Sequence, residues 1–109
     1  MPEVQRRLAA ILAADIVGYS GMMSQDETGT LRRVKSLLSE LIRPKIAEHR
    51  GRIVKTMGDG VLAEFASVFD AFQSAVEIQE GVDARNQQDQ VWKPLKMRIG
   101  INIGDIIFD

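Results

Sequence analysis

Two aspartates stand where a hard cation could be held. Asp15 closes the apolar run "LAAILAADIV" (8–17), and Asp59 sits in "KTMGDGVLAEF" (55–65), between two short apolar stretches. Carboxylates brought close together repel, which raises one pKa unless a cation neutralises them. Hard oxygen donors of this kind suit Mg²⁺, Mn²⁺ or Ca²⁺. Directly after Asp15 comes "IVGYSG", a glycine-containing loop leading towards a helix, and free backbone N–H groups in such a loop attract phosphate. Metal-holding carboxylates beside an anion-binding loop describe a nucleoside-triphosphate site, where catalysis is positioning plus electrostatic stabilisation by two metals. Singly, each residue also has an ordinary reading. Asp59-Gly60 is a tight-turn dipeptide, Asp15 can end a strand, Gly18 can be a loop glycine, and Lys55 can be a solvated lysine. Only their joint placement carries the functional reading.

That placement depends on the elements. Leu8 to Val17 is nearly unbroken apolar sequence, which reads as a central strand buried on both faces. Ser24 followed by Glu27 has capping-box spacing and predicts a helix start. Leu31, Val34, Leu37, Leu38, Leu41 and Ile42 then recur at helical spacing. Pro44 is expected to kink or interrupt that helix, Ile46 and Ala47 continue its face to His49, and Gly51 ends it. "RIVKT" and "VLAEF" flank Gly58-Asp59-Gly60 as the strands of a hairpin.

Ser67 with Asp70 caps a second helix, whose apolar face reads as Val68, Ala71, Phe72, Ala75, Val76, Gln79 and Val82. A polar loop, "RNQQDQ", follows, with Trp92 packing under it. The last strand, "LKMRIGINIGDIIF", alternates: Met97, Ile99, Ile101 and Ile103 on one face, Lys96, Arg98 and Asn102 on the other. The order βαββαβ predicts an α+β, ferredoxin-like sheet with helices on one face and the opposite face left for a ligand or partner. In the usual strand order of that fold the third strand lies beside the first, so Asp15 and Asp59 become neighbours.

Composition narrows the chemistry. At 109 residues the chain is one domain at most. Its net charge of −1, with basic residues interleaved among acids, argues against a nucleic-acid-binding patch. With no cysteine and a single histidine, His49, thiolate chemistry and multi-Cys or multi-His zinc sites are excluded. His49 reads as a helix-end residue near the carbonyl ends, and Met22-Met23 as core or loop contact. "RRLAAILAADIVG" mimics a secretory signal, but Asp15 interrupts the run and it is too short to span a bilayer, so a cytoplasmic segment with no membrane insertion is expected.

From about Leu8 to Asp109 the chain resembles the class III nucleotidyl cyclase catalytic domain, the adenylate/guanylate cyclase family. The resemblance rests on "ADIVGYS", "HRGRIVKTMGDGVLAEF" and "MRIGINIGDI", in that order. It implies conversion of ATP to 3′,5′-cyclic AMP and pyrophosphate with two Mg²⁺ or Mn²⁺ ions, in a head-to-tail homodimer. Asp15 and Asp59 match the metal-holding aspartates, with the Ile16 carbonyl as a further ligand. Gly18, Tyr19 and Ser20 match the loop that cradles the triphosphate. Lys55 matches the base-recognition position, where lysine accompanies adenine and glutamate guanine.

Two departures accompany this resemblance. Asp105 stands where some members carry a phosphate-binding arginine, just after the glycine of the turn between the fourth and fifth strands. The family's second base-specifying residue and its transition-state asparagine and arginine lie beyond Asp109. Residues 1–109 therefore read as one cyclase catalytic domain, incomplete at its C-terminal end. The alternative is a cyclase-like nucleotide-binding or regulatory module without turnover.

Overall fold

The computed structural model describes residues 5–89 and 93–108. Four strands form one antiparallel sheet in the order β2-β3-β1-β4, the arrangement expected of a βαββαβ chain. β1 (Gln5–Ile16) runs through the middle between β3 (Gly60–Phe65) and β4 (Met97–Phe108), and β2 (Arg52–Met57) lies outermost beside β3.

Contrary to the reading of its apolar run, β1 is covered by helices on one face only, Ala9 being the buried residue of the other face. Ala10, Leu12, Ala14 and Ile16 are covered by the helices, whereas Ala13 is exposed and Ile11 half-buried. The ladder explains the division. Ala10, Leu12 and Ala14 align with Phe65, Ala63 and Val61, all at most 1% exposed. Ile11, Ala13 and Asp15 align with Glu64, Leu62 and Gly60 on the other, open face.

The helical layer differs from expectation in several places. α1 (Tyr19–Gln25) starts at Gly18, and α2 (Glu27–Leu37) is capped by Asp26, whose carboxylate accepts the Gly29 amide at 3.0 Å. Ser24 is no cap; it donates to the Ser20 carbonyl inside α1. Before Pro44 the helix widens into a π turn, Leu38–Ile42, and resumes as α3 (Arg43–Glu48) with Pro44 in its first turn. A proline lacks an N–H and its ring clashes with the carbonyl four residues back, and a wider turn absorbs both problems without ending the helix.

α3 then stops in a two-bond C-cap. The Gly51 amide donates to the Ile46 carbonyl at 2.8 Å and Arg50 to Ala47 at 3.0 Å. The left-handed residue there is Arg50 (φ 62), not Gly51. Gly51 is small for another reason: a Cβ on it would stand within 2.6 Å of Phe65 ring atoms.

α4 (Val68–Asp89) is capped by Ser67, whose hydroxyl accepts the Asp70 amide, and it runs on through most of the stretch read as a polar loop. Its buried stripe is Ala71, Ser74, Ile78 and Val82, with Ala75 half-buried. Val68, Phe72 and Val76, assigned to that stripe from spacing, face outward instead. Small Ala71 and Ser74 let the helix approach the core closely, so the contact rotates towards them. Trp92 lies outside the described residues. Gly104 and Asp105 belong to β4, where Asp105 pairs with Leu8, rather than to a turn after it.

Candidate active site at the sheet edge

The ladder brings the two predicted carboxylates together. Asp15 is second from the end of β1 and registers with Gly60, the first residue of β3. Asp59 immediately precedes Gly60 in the two-residue connection Gly58-Asp59 that joins Met57 to Gly60. Both aspartates line one open cavity of about 460 Å³ on the uncovered face, with Ala13, Met57, Gly60, Arg98 and Gly100 around them.

Gly60 is at this junction for space rather than for turn geometry, since its φ is not positive. A Cβ there would lie 2.8 Å from the Ala14 carbonyl oxygen and 3.5 Å from the Asp15 Cβ. The close approach of β3 to β1 at Asp15 therefore requires glycine.

Arg98 completes the cluster and was not assigned a role from the sequence. It is the β4 partner of Asp15, and its Nε donates to Asp15 Oδ1 at 2.9 Å. The Asp15 hydrogen bond, then the Asp15 charge and the more distant Asp59 charge, hold its guanidinium pKa above the usual value. Arg98 therefore feels both carboxylates. The strict alternation of the last strand already puts Arg98 on the open face; the β1–β4 register was the missing piece.

The glycine loop stands beside the pair. β1 ends at Ile16, whose side chain is 3% exposed in the core, leaving only its backbone for any outside ligand. Val17 is tied to the Lys96 carbonyl at 2.9 Å. Gly18 then adopts φ 73 and turns the chain into α1, a conformation that costs glycine little. The Tyr19 and Ser20 amides fall in the first turn of α1, where helical amides lack partners within the helix. Tyr19 packs against the core and over the hairpin turn; a methyl on Gly58 would sit 3.5 Å from its hydroxyl.

Lys55 is exposed on β2 opposite Leu62, which pairs with Ala13 of the cavity wall. It thus shares the open face with the two aspartates, and it reaches that face because of a bulge at Val54. The register shifts between Ile53/Ala63 and Lys55/Leu62, turning Lys55 from the helix-covered face to the open one. Lys55 does not line the cavity itself.

At the other end of the same face, Glu64 is buried to 5% exposure under Arg52 (2.7 Å) and Arg7 (3.4 Å). Nothing in the pattern of "VLAEF" signalled this buried carboxylate and its two arginine partners. His49 behaves as a helix-end residue should, with its Nε2 2.9 Å from Glu77.

Hard oxygen donors on an open cavity beside a glycine turn fit a divalent cation. One Asp15 oxygen is shared with Arg98, so a cation would compete with an internal positive charge.

Comparison with known proteins agrees with this architecture. Residues 3–109 match the family described as the adenylate and guanylate cyclase catalytic domain, and the chain belongs to that family. It is 47% identical to a solved adenylate/guanylate cyclase/hydrolase from Silicibacter pomeroyi, with a TM-score of 0.86 over 98% of this chain and 62% of that one. An adenylyl cyclase from P. aeruginosa superposes with a TM-score of 0.86 at 22% identity, covering 97% of this chain and 60% of that one, a likeness of fold. A Rhizobium meliloti protein named "Putative adenylate cyclase 3" is 41% identical over 97% of this chain. The chain spans 18% of the length of that relative and about three-fifths of those solved structures. Among the described residues no helix is long and apolar enough to cross a membrane.

Proposed function

We propose that these residues form the metal- and phosphate-holding part of an adenylate cyclase catalytic domain. It would convert ATP to 3′,5′-cyclic AMP and pyrophosphate in the cytoplasm, at a site completed by a second copy of the domain. The observation that carries the reading is the shared cavity of Asp15 and Asp59 beside the Gly18 turn. In the reaction the ribose 3′ oxygen bonds to the α-phosphorus, its proton leaves, and the bond from the α-phosphorus to the pyrophosphate oxygen breaks.

Asp15, Asp59 and the Ile16 carbonyl would hold two Mg²⁺ or Mn²⁺ ions, which when bound neutralise the phosphates and acidify the attacking hydroxyl. The chain's own groups do the positioning. Amides at Gly18, Tyr19 and Ser20 receive phosphate oxygens. The Lys55 ammonium, a donor with no acceptor capacity, would donate to the unprotonated N1 of adenine, a position that carries a hydrogen in guanine.

The test is cyclic AMP formation from ATP with Mn²⁺ in the protein at its natural length, beside Asp59→Asn. Activity that collapses in the variant supports the assignment, and activity retained in both removes Asp59 from the site. Lys55→Glu should shift the ATP/GTP preference towards GTP, and an unchanged preference refutes the base-recognition role. A second reading, a nucleotide-binding module without turnover, is favoured by one observation: Arg98 already neutralises Asp15. Metal-dependent ATP binding without product would support that reading.

A further inference from the structure

A second cleft lies on the helix-covered side of the molecule, away from the two aspartates. It encloses about 220 Å³ between α2, α4 and the segment leading into β4. Its floor is apolar and fixed: Leu37, Val82 and Leu95 are at most 7% exposed. Leu95 is clamped by Asn86, whose amide nitrogen donates to the Leu95 carbonyl at 2.7 Å and whose oxygen accepts the Leu95 N–H at 3.0 Å. Three guanidinium groups form the rim: Arg32, Arg33 and Arg85.

Two of these are held in place by the fold. Arg85 donates to the Ser36 hydroxyl at 2.8 Å and to Glu40 at 3.2 Å, and Arg33 donates to the Lys93 carbonyl at 2.9 Å. Each guanidinium carries five N–H donors, so both keep donors to spare. Arg32 is exposed and makes no hydrogen bond or ion pair among the described residues. Against these three cations the only carboxylate paired to the rim among the described residues is Glu40, which Ser36 and Arg85 hold below its ordinary pKa and hence ionised. The rim keeps a net positive charge over an apolar floor, in a part of the molecule that the cyclase reading does not use.

We propose that this cleft is a binding site for a small organic oxyanion, a carboxylate or phosphate carried on a compact apolar body. The oxyanion would take the fork of Arg32 and the spare donors of Arg33 and Arg85, since guanidinium matches both groups with paired hydrogen bonds. The apolar body would cover Leu37, Val82 and Leu95. An anion with no apolar part would use half of the site, and a neutral aromatic the other half.

The experiment is a two-dimensional NMR titration of the ¹⁵N-labelled protein with benzoate, phenyl phosphate, inorganic phosphate and benzyl alcohol. Backbone and arginine Nε signals of α2 and α4 give the readout. Benzoate or phenyl phosphate should give saturable shifts at these arginines with a dissociation constant of about 1 mM. Inorganic phosphate should bind several times more weakly and benzyl alcohol not measurably. The stronger of the two aromatic anions identifies which oxyanion the rim prefers. Arg32→Ala, at an exposed and unpaired position, should weaken binding about threefold to tenfold with no change in melting temperature.

No saturable shift with any of the probes overturns the proposal. So does equal binding of benzyl alcohol, or unchanged binding in both Arg32→Ala and Arg85→Met. Because the readout is binding at α2 and α4, the result is independent of whether the chain makes cyclic AMP.

Discussion

Replacing Gly60 with alanine tests whether the Asp15–Asp59 junction is held by strand contact. The added methyl would lie 2.8 Å from the Ala14 carbonyl oxygen, and this obstacle is backbone that cannot rotate away. Relief requires β3 to move from β1 by roughly half an ångström to restore ordinary contact. Overpacking of this kind costs about 1–3 kcal/mol. Lost chain entropy in the unfolded state returns about 0.4–1 kcal/mol for Gly→Ala, leaving a net destabilisation of about 1–2 kcal/mol. For a chain of this size that is a fall of roughly 4–8 °C in melting temperature.

The control is Gly21→Ala, in α1, where an added Cβ meets nothing within 4 Å. That change should raise stability by about 0.5–1 kcal/mol, because alanine outranks glycine within helices. The assay is thermal unfolding of both variants by circular dichroism, with Mn²⁺ affinity measured from the electron paramagnetic resonance of the free ion. Opposite signs for two chemically identical substitutions, with weaker Mn²⁺ binding only in Gly60→Ala, support the argument. A Gly60→Ala protein as stable as the parent would refute it, since the strands could then not be in contact there.

Arg98→Met should tighten Mn²⁺ binding severalfold, because it removes a cation that competes for Asp15 and repels the incoming ion; weaker binding in a titration would refute that competition. Arg50→Gly should raise stability by about 0.5–1.5 kcal/mol in urea unfolding, since Arg50 holds a left-handed conformation (φ 62) that favours glycine. No gain would mean that its exposed contact with Asp70 matters more than the backbone. His49 and then Lys45 hold the Glu77 pKa below the ordinary 4.5. A depressed carboxylate contributes stability that is present above its unfolded pKa and lost as pH falls through the folded value. Glu77→Gln should therefore flatten the loss of stability below about pH 4.5, and equal acid slopes for the two proteins would contradict the contact.

What the sequence made legible was what local pattern controls. The alternation of Met97, Ile99 and Ile101 marked the covered face of β4, Ser67 capped α4, and the Asp59 hairpin fell where the dipeptide said. The βαββαβ order then put Asp15 beside Asp59, because a ladder with strand order β2-β3-β1-β4 leaves those chain positions no other place. Less legible was everything set by contact between distant elements. The buried stripe of α4 turned towards Ala71 and Ser74 since small residues permit close packing, which periodicity alone cannot weigh against Phe72. Gly60 and Gly51 read as turn and stop signals, yet each is small because of what lies across from it, the Ala14 carbonyl and the Phe65 ring. The Val54 bulge, which carries Lys55 to the open face, has no signature in "RIVKT".

The open face itself bears on how such a site would be completed. An antiparallel sheet with one solvated face normally turns polar side chains outward. Here the outward positions between the two charged ends include Ile11, Ala13, Leu62, Met57 and Gly100, interrupted only by Lys55 and Asn102 among the described residues, while other charges gather at Asp15 and Arg98 on one side and at Glu64, Arg52 and Arg7 on the other. Exposed apolar surface of this kind marks an interaction site. A partner covering it would exclude water from the Asp15–Arg98 pair, and the same charges interact more strongly in a drier setting. The ion pair is weak and replaceable while solvated. Once the face is covered, leaving any one of its charges unmatched becomes costly. Cation, triphosphate and partner would then each favour arrival of the others, which is the behaviour expected of a site shared between two copies.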